Sequence, residues 1–291
     1  MAESDRKSPG FDLLRLDDLT ATQIQTILER AVELAGYWSA RTMPQSLAGK
    51  RIGLLVEESG WRNTTALSLG VQAMRGICQT VSASLSGKEA IADLARYFDN
   101  WFDLVAVRTP SLANLEALAA AMTAPVMNLR TRENHPCETL GDLAFLLCER
   151  GSIEGERVAV ISPRSNILGS WVEAAAVLPL TVTQVFDPAY VLPEGKGLVR
   201  CCADMSVLAD ATLIVTDCWP QERDAFRRFQ VTAEILDATG PDCLFIPCPP
   251  VSRGQELTQA AIDHPKHVSY QAKAFLLHAQ NAFLEFALGE A

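Results

Sequence analysis

The stretch that decides the fold reads Ile52-Gly53-Leu54-Leu55-Val56-Glu57-Glu58-Ser59-Gly60-Trp61-Arg62-Asn63-Thr64-Thr65. Ile52–Val56 is apolar at every position, the pattern of a strand buried on both faces. A short polar turn follows, and Thr64–Met74 then has the composition of a helix. A strand that runs through a polar turn into a helix start is the repeating unit of a parallel α/β sheet. The turn is also suited to an anion: the backbone N–H groups of a helix start point outward, and Gly60 admits a close ligand. Arg62, Asn63, Thr64 and Thr65 add side-chain donors.

The same rhythm extends in both directions. Upstream, Thr20 and Gln23 have the spacing of a capping box, and Ile24, Ile27, Leu28 and Ala31 predict an amphipathic helix to about Trp38. Residues 1–10 read as a tail. Downstream, strands are expected at Thr80–Ala83, Leu104–Val107 and Pro125–Leu129, with helices over Glu89–Phe98, Leu112–Met122 and Pro136–Glu149. Gly151 and the polar Ser152–Glu156 mark a domain boundary. A second series follows, with strands at Val158–Ile161, Val182–Phe186, Leu213–Thr216 and Cys243–Ile246, and helices over Asn166–Val177 and Asp224–Leu236. The last helix, Ser269–Leu288, has an apolar side that can pack back on the first domain. The expected architecture is α/β: two doubly wound parallel-sheet domains, 1–150 and 151–291, with an interdomain cleft at the carboxyl ends of their strands.

Composition limits the function. The net charge of -10 disfavours polyanionic partners, so neither nucleic acid nor an anionic membrane surface is expected. The start is polar and no uncharged apolar run reaches the roughly 18 residues of a membrane span, which makes a cytoplasmic protein the expectation. Eight cysteines lie mostly in apolar segments, and with only four histidines, none in a CxxC or HxxxH spacing, no metal site is expected. Neither GxxxxGK[ST] nor GxGxxG occurs, and no cofactor is expected.

Candidate chemistry collects at strand ends. Arg108-Thr109-Pro110 closes the third strand, where a guanidinium can grip a planar oxygen-bearing group. His135-Pro136 opens a helix with Glu138 one turn in. Ser162–Asn166, Asp217-Cys218-Trp219 and Pro247-Cys248-Pro249-Pro250, with Arg253 and Glu256, close strands of the second half. Cys248 is a candidate nucleophile, although no base is assigned beside it.

In order and spacing these segments resemble the aspartate/ornithine carbamoyltransferase family, over roughly residues 11–288. The resemblance rests on Phe11-Asp12-Leu13-Leu14, Leu47-Ala48-Gly49-Lys50, Arg108-Thr109-Pro110, His135-Pro136, the Val158–Ile161 strand, Thr216-Asp217-Cys218-Trp219, Cys248–Glu256 and the last helix. It implies a first domain that binds carbamoyl phosphate and a second that binds an amino acid. The amine attacks the carbamoyl carbon and phosphate leaves. It further implies a homotrimer in which a neighbour's loop completes each site; here that loop is Ser82–Lys88, with Lys88 as its cation.

Carried over position by position, the resemblance makes Arg62, Arg108, His135 and Cys248 the catalytic candidates. Trp61, Asn63, Thr64, Glu138, Asn166, Asp217, Arg253 and Lys88 become the substrate-binding candidates. The departures are specific. Ser-Thr-Arg-Thr-Arg becomes Gly60-Trp61-Arg62-Asn63-Thr64, His-Pro-Thr-Gln becomes His135-Pro136-Cys137-Glu138, Ser-Met-Gly becomes Pro220-Gln221-Glu222, and His-Cys-Leu-Pro becomes Pro247-Cys248-Pro249-Pro250. Three readings follow. The first is a divergent transferase that moves a carbamoyl or related acyl group, from carbamoyl phosphate or another phosphate or acyl donor, to an amine of a small amino-acid-like substrate. The second is a non-catalytic homologue with a metabolite-binding, regulatory or scaffold role. The third is a lyase or cyclase on the same scaffold.

Overall fold

The structure is a computed structural model that describes residues 11–192, 199–219 and 224–289. The expected tail and the Pro220-Gln221-Glu222 substitution lie outside the described residues. Two parallel sheets are present. In the first half α1 (Ala21–Ala40) leads to β1 (Arg51–Val56), α2 (Trp61–Ala73), β2 (Ile77–Val81), α3 (Ile91–Trp101), β3 (Leu104–Arg108), α4 (Leu112–Ala121), β4 (Val126–Arg130) and α5 (Pro136–Arg150). The second half continues with β5 (Arg157–Ile161), α6 (Asn166–Val177), β6 (Thr181–Val185), β7 (Val199–Cys202), β8 (Leu213–Thr216), α7 (Ala233–Asp237), β9 (Leu244–Pro247), α8 (Gln259–Ile262) and α9 (Ser269–Leu288).

The strand orders are β2-β1-β3-β4 and β7-β6-β5-β8-β9, all parallel. Each sheet therefore has one place where the chain leaves a strand and builds outward on the other side. In the first it lies between β1 and β3, in the second between β5 and β8. A crevice opens outside the carboxyl ends of strands at such a switch point. The turn after β1 and Arg108 stand at the first; Ser162–Asn166 and Asp217 stand at the second.

α9 carries out the expected return. It packs against α5, α1 and α2, and its Glu285, fully buried, takes the Arg30 guanidinium of α1 at 2.6 Å. One hydrophobic core runs through α1, α5, α6 and α9 and joins both sheets, with Trp171 and Phe283 among its fully buried side chains.

The local differences from expectation have physical causes. α2 begins at Trp61, three residues early, because Gly60 serves as N-cap without any side-chain bond. The second strand lies upstream, at Ile77–Val81, on a half-exposed edge with a weak apolar signal. Asp224–Leu236 is not one helix. A 3-10 turn over Asp224–Phe229 gives way to Val231, whose N–H and C=O bond Glu256 and Thr258, and α7 restarts on the Thr232 cap. β7 was not foreseen, since its edge position leaves its centre exposed.

Candidate functional site

The turn after β1 is organised by its two carboxylates. Glu57 accepts from Ser84 Oγ at 2.6 Å, from the Leu85 N–H at 3.0 Å and from Thr109 Oγ1, and so pins the Ser82–Lys88 loop to the strand tips. Glu58 takes the guanidiniums of Arg130 and Arg132. Those two cations at the end of β4 are thereby neutralised within the fold. Arg108 turns back over the same loop and donates through Nε to the carbonyls of Ser59 at 3.1 Å and Glu58 at 3.2 Å. Burial, with Arg130 nearby, lowers its pKa.

The first turn of α2 separates residues that the sequence groups together. Trp61 is 67% exposed, and Arg62 stacks over its ring at 4.9 Å. Asn63 points the other way. It is buried, donates to the Leu129 carbonyl at 3.2 Å and accepts from Gln280 Nε2 at 2.8 Å, so its amide joins α2 to β4 and α9. Thr64 is half-buried and returns its hydroxyl to the carbonyls of Gly60 and Trp61.

His135 caps α5 through its backbone, its own N–H bonded to Ser170 Oγ at 2.8 Å. Its Nε2 lies 3.7 Å from Glu138 Oε2, while Nδ1 is buried without a partner. Burial lowers the imidazole to about 4, so it is neutral at physiological pH. Glu138 is buried as well. Burial, the largest single influence, opposes its charge, but Lys273, His135 and Arg108 together hold the carboxyl below its ordinary range. Lys273 Nζ reaches from α9 to within 3.1 Å of Glu138 Oε1 and 2.7 Å of Asp142 Oδ1. Asp142, equally buried, is pushed up to about 6.

From the second sheet come Asn166, Asp217, Cys248 and Arg253. Asn166 donates to the Thr131 carbonyl at 2.9 Å, across to the first half. Asp217 accepts from the Cys218 N–H at 2.8 Å; burial raises its pKa, and the Glu138 carboxylate adds to the rise. Cys248 is buried with its thiol held well above its usual pKa, first by burial and then by Glu138, so at neutral pH it is a thiol and not a nucleophilic thiolate. Arg253 is exposed and donates to Gln259 Oε1 at 2.8 Å. Glu256 is buried and accepts from the Ser252 N–H.

A cavity of about 990 Å³ has Trp61, Arg62, Glu138, Lys273, Arg253 and Pro247, Pro249, Pro250 and Val251 in its wall, whereas Arg108, His135, Asn166, Asp217 and Cys248 do not line it. Arg108, His135, Asp217 and Cys248 lie within electrostatic reach of Glu138 in that wall. Lys88 is exposed on its loop and is not part of this wall. Lys273 was missed by the sequence reading. Its signal was a single cation within an apolar helix, facing two carboxylates spaced i, i+4 on α5.

Two parallel-sheet domains, each with a switch-point crevice at the carboxyl ends of its strands, define an α/β scaffold of the ligand-binding kind. The first half, residues 12–147, matches the family model for the aspartate/ornithine carbamoyltransferase carbamoyl-P binding domain. Residues 154–287 match the Asp/Orn binding domain of the same family. Ornithine carbamoyltransferase from Acinetobacter baumannii (strain AYE) is 33% identical over 95% of this chain and 96% of its own. That from Halorhodospira halophila is 32% identical over 94% and 98%. Among solved structures, ornithine carbamoyltransferase from Pyrococcus furiosus superposes with a TM-score of 0.89 at 28% identity, over 96% of this chain and 97% of that one. The enzyme from Burkholderia thailandensis gives 0.89 at 26%, over 95% and 98%. The chain belongs to the aspartate/ornithine carbamoyltransferase family, and with it to the transferases.

Proposed function

We propose that this protein transfers a carbamoyl or related acyl group from a phosphate-bearing donor to the amine of a small amino-acid-like acceptor. The 1–150 half holds the donor and the 151–291 half the acceptor. Arg62 and the start of α2 take the leaving phosphate, Arg108 and His135 polarise the transferred carbonyl, and Asp217 orients the amine. Such a reaction needs reactants held in line and donors placed where charge develops, and no covalent intermediate. A neutral His135 suits this role, since an imidazole N–H can donate to a carbonyl oxygen without bringing a charge of its own.

The observation that carries the reading is the single electrostatic environment of the two halves. Asn166 of the second half donates to the Thr131 carbonyl of the first at 2.9 Å, and after burial, the larger cause, Glu138 of the first adds to the raised pKa of Asp217 and Cys248 of the second. This supports a site shared by donor and acceptor. In a homotrimer, Lys88 would serve the neighbouring subunit's cleft.

The test is production of a ureido group and of phosphate from carbamoyl phosphate with a panel of amino acids and diamines. Arg108→Ala is expected to lower kcat by about 10²–10³, the cost of removing one preorganised donor. A variant as fast as the parent would remove Arg108 from the mechanism. Absence of product with every acceptor would refute the carbamoyl reading.

A further inference from the structure

Lys273 has no part in the mechanism above, yet it is built into the cleft. Its side chain is 12% exposed. Asp142 holds it through both carboxylate oxygens, at 2.7 and 2.8 Å, and Glu138 through Oε1 at 3.1 Å. Glu138 and Asp142 stand four residues apart on one face of α5, where like charges repel and burial raises the cost further. The ammonium from α9 lies between them and compensates both.

The position of Glu138 gives this arrangement its meaning. The family motif carries a neutral glutamine there, whereas this chain places a carboxylate within reach of Arg108 and His135. An uncompensated carboxylate in the wall shared with Arg62 would repel an anionic ligand. We propose that Lys273 is a positioning and specificity-determining residue of the anion subsite. It takes up the charge of Glu138 through Oε1 and so leaves Arg62 and Arg108 free to bind a phosphate-bearing ligand. The inference rests on the reading that these two arginines face an anion.

The experiment is calorimetry of the full-length protein with inorganic phosphate and with carbamoyl phosphate as probes, beside thermal melting and steady-state kinetics. Lys273→Met is expected to weaken binding of either probe by about tenfold or more, because it strands a buried carboxylate. Lys273→Met combined with Glu138→Gln is expected to return to within about threefold of the parent, since the carboxylate in the cavity wall is gone. The Asp142 carboxylate, which remains, is not in that wall and bears on folding, read by the melting temperature. Glu138→Gln alone should bind phosphate as tightly as the parent or more so. In kinetics the Lys273→Met effect should fall on KM for the donor more than on kcat.

A merely structural lysine would lower the melting temperature of Lys273→Met without any repair of binding by Glu138→Gln, and that result overturns the proposal. So does binding unchanged in Lys273→Met, or a tenfold loss in Glu138→Gln, which still reports if Lys273→Met does not fold. Failure of the parent to bind either anion overturns it as well. Anion binding without transfer to any acceptor would overturn the carbamoyl reading and leave the role of Lys273 standing.

Discussion

The Arg108 guanidinium occupies the space above Gly60 that any side chain at that position would fill: a Cβ on Gly60 would overlap its Nε and Cζ. The glycine is therefore the partner of the arginine. It lets Arg108 fold over the loop and donate to the Glu58 and Ser59 carbonyls. The family motif has serine at this place, so the loss of a hydroxyl donor and the placement of Arg108 are one structural change.

Gly60→Ser should accordingly not restore a family-like loop. The serine Cβ expels the guanidinium, and a displacement of about 1 Å at a positioned group can cost on the order of 10²-fold. The expected result is a fall of that size in kcat/KM for the ureido-forming reaction, with the melting temperature changed by a few degrees at most. An unchanged rate would mean that chemistry does not depend on where Arg108 sits.

Asn63→Ala should act on stability first. The substitution removes the side-chain donor to the Leu129 carbonyl and leaves Gln280 Nε2 with only the residue-63 carbonyl, at 3.3 Å, and a buried loss of this kind costs about 1–3 kcal/mol. Urea denaturation should record a destabilisation of at least that size, with an unchanged slope. A variant as stable as the parent would show that Asn63 does not tie α2 to α9.

Cys248 should resist alkylation at pH 7. Its thiol is buried and held above its ordinary pKa, whereas Cys148 and Cys201 are exposed. Iodoacetamide followed by peptide mass spectrometry should find label on Cys148 and Cys201 well before Cys248. Preferential labelling of Cys248 would revive it as a nucleophile.

His278 gives the protein a sensitivity to acid. It is buried on α9 beside the rings of Trp38 and Phe275, with Nδ1 unpartnered, and burial lowers its pKa to about 4. Its ordinary value is 6.5. Between the two the unfolded chain binds a proton that the folded chain does not. The contribution of the neutral ring is therefore complete above pH 6.5 and drains away as the pH falls toward 4. Linkage puts the loss at about 2 kcal/mol at pH 5. Asp142 and Glu173, raised to about 6 and about 7, pull the other way, so the comparison must be between variants. His278→Phe should gain stability relative to the parent at pH 5 over the difference seen at pH 8, where linkage contributes nothing. Equal differences at both values would place the ring in water.

How much of this was legible in the sequence depended on the range of each interaction. The Thr20–Gln23 capping box, the bounds of α6 and the whole of α9 are local patterns, and they appear as written. Val231 could not be read so. Its break in the 224–236 segment comes from pairing with Glu256 and Thr258, some 25 residues on. The grouping of Arg62, Asn63 and Thr64 as donors failed at Asn63, because consecutive helical residues point about 100° apart and Asn63 faces α9. Lys273 shows the same limit on a larger scale. Its partners precede it by 131 and 135 residues, and only the packing of α9 on α5 brings the three together.

That packing also orders events at the ribosome. Residues 12–147 carry their own sheet, but the helix that covers α1, α2 and α5 lies more than a hundred residues downstream of α5. A nascent chain paused after α5 exposes the apolar surface that α9 will cover, and the first half reaches its final packing only when α9 has cleared the exit tunnel.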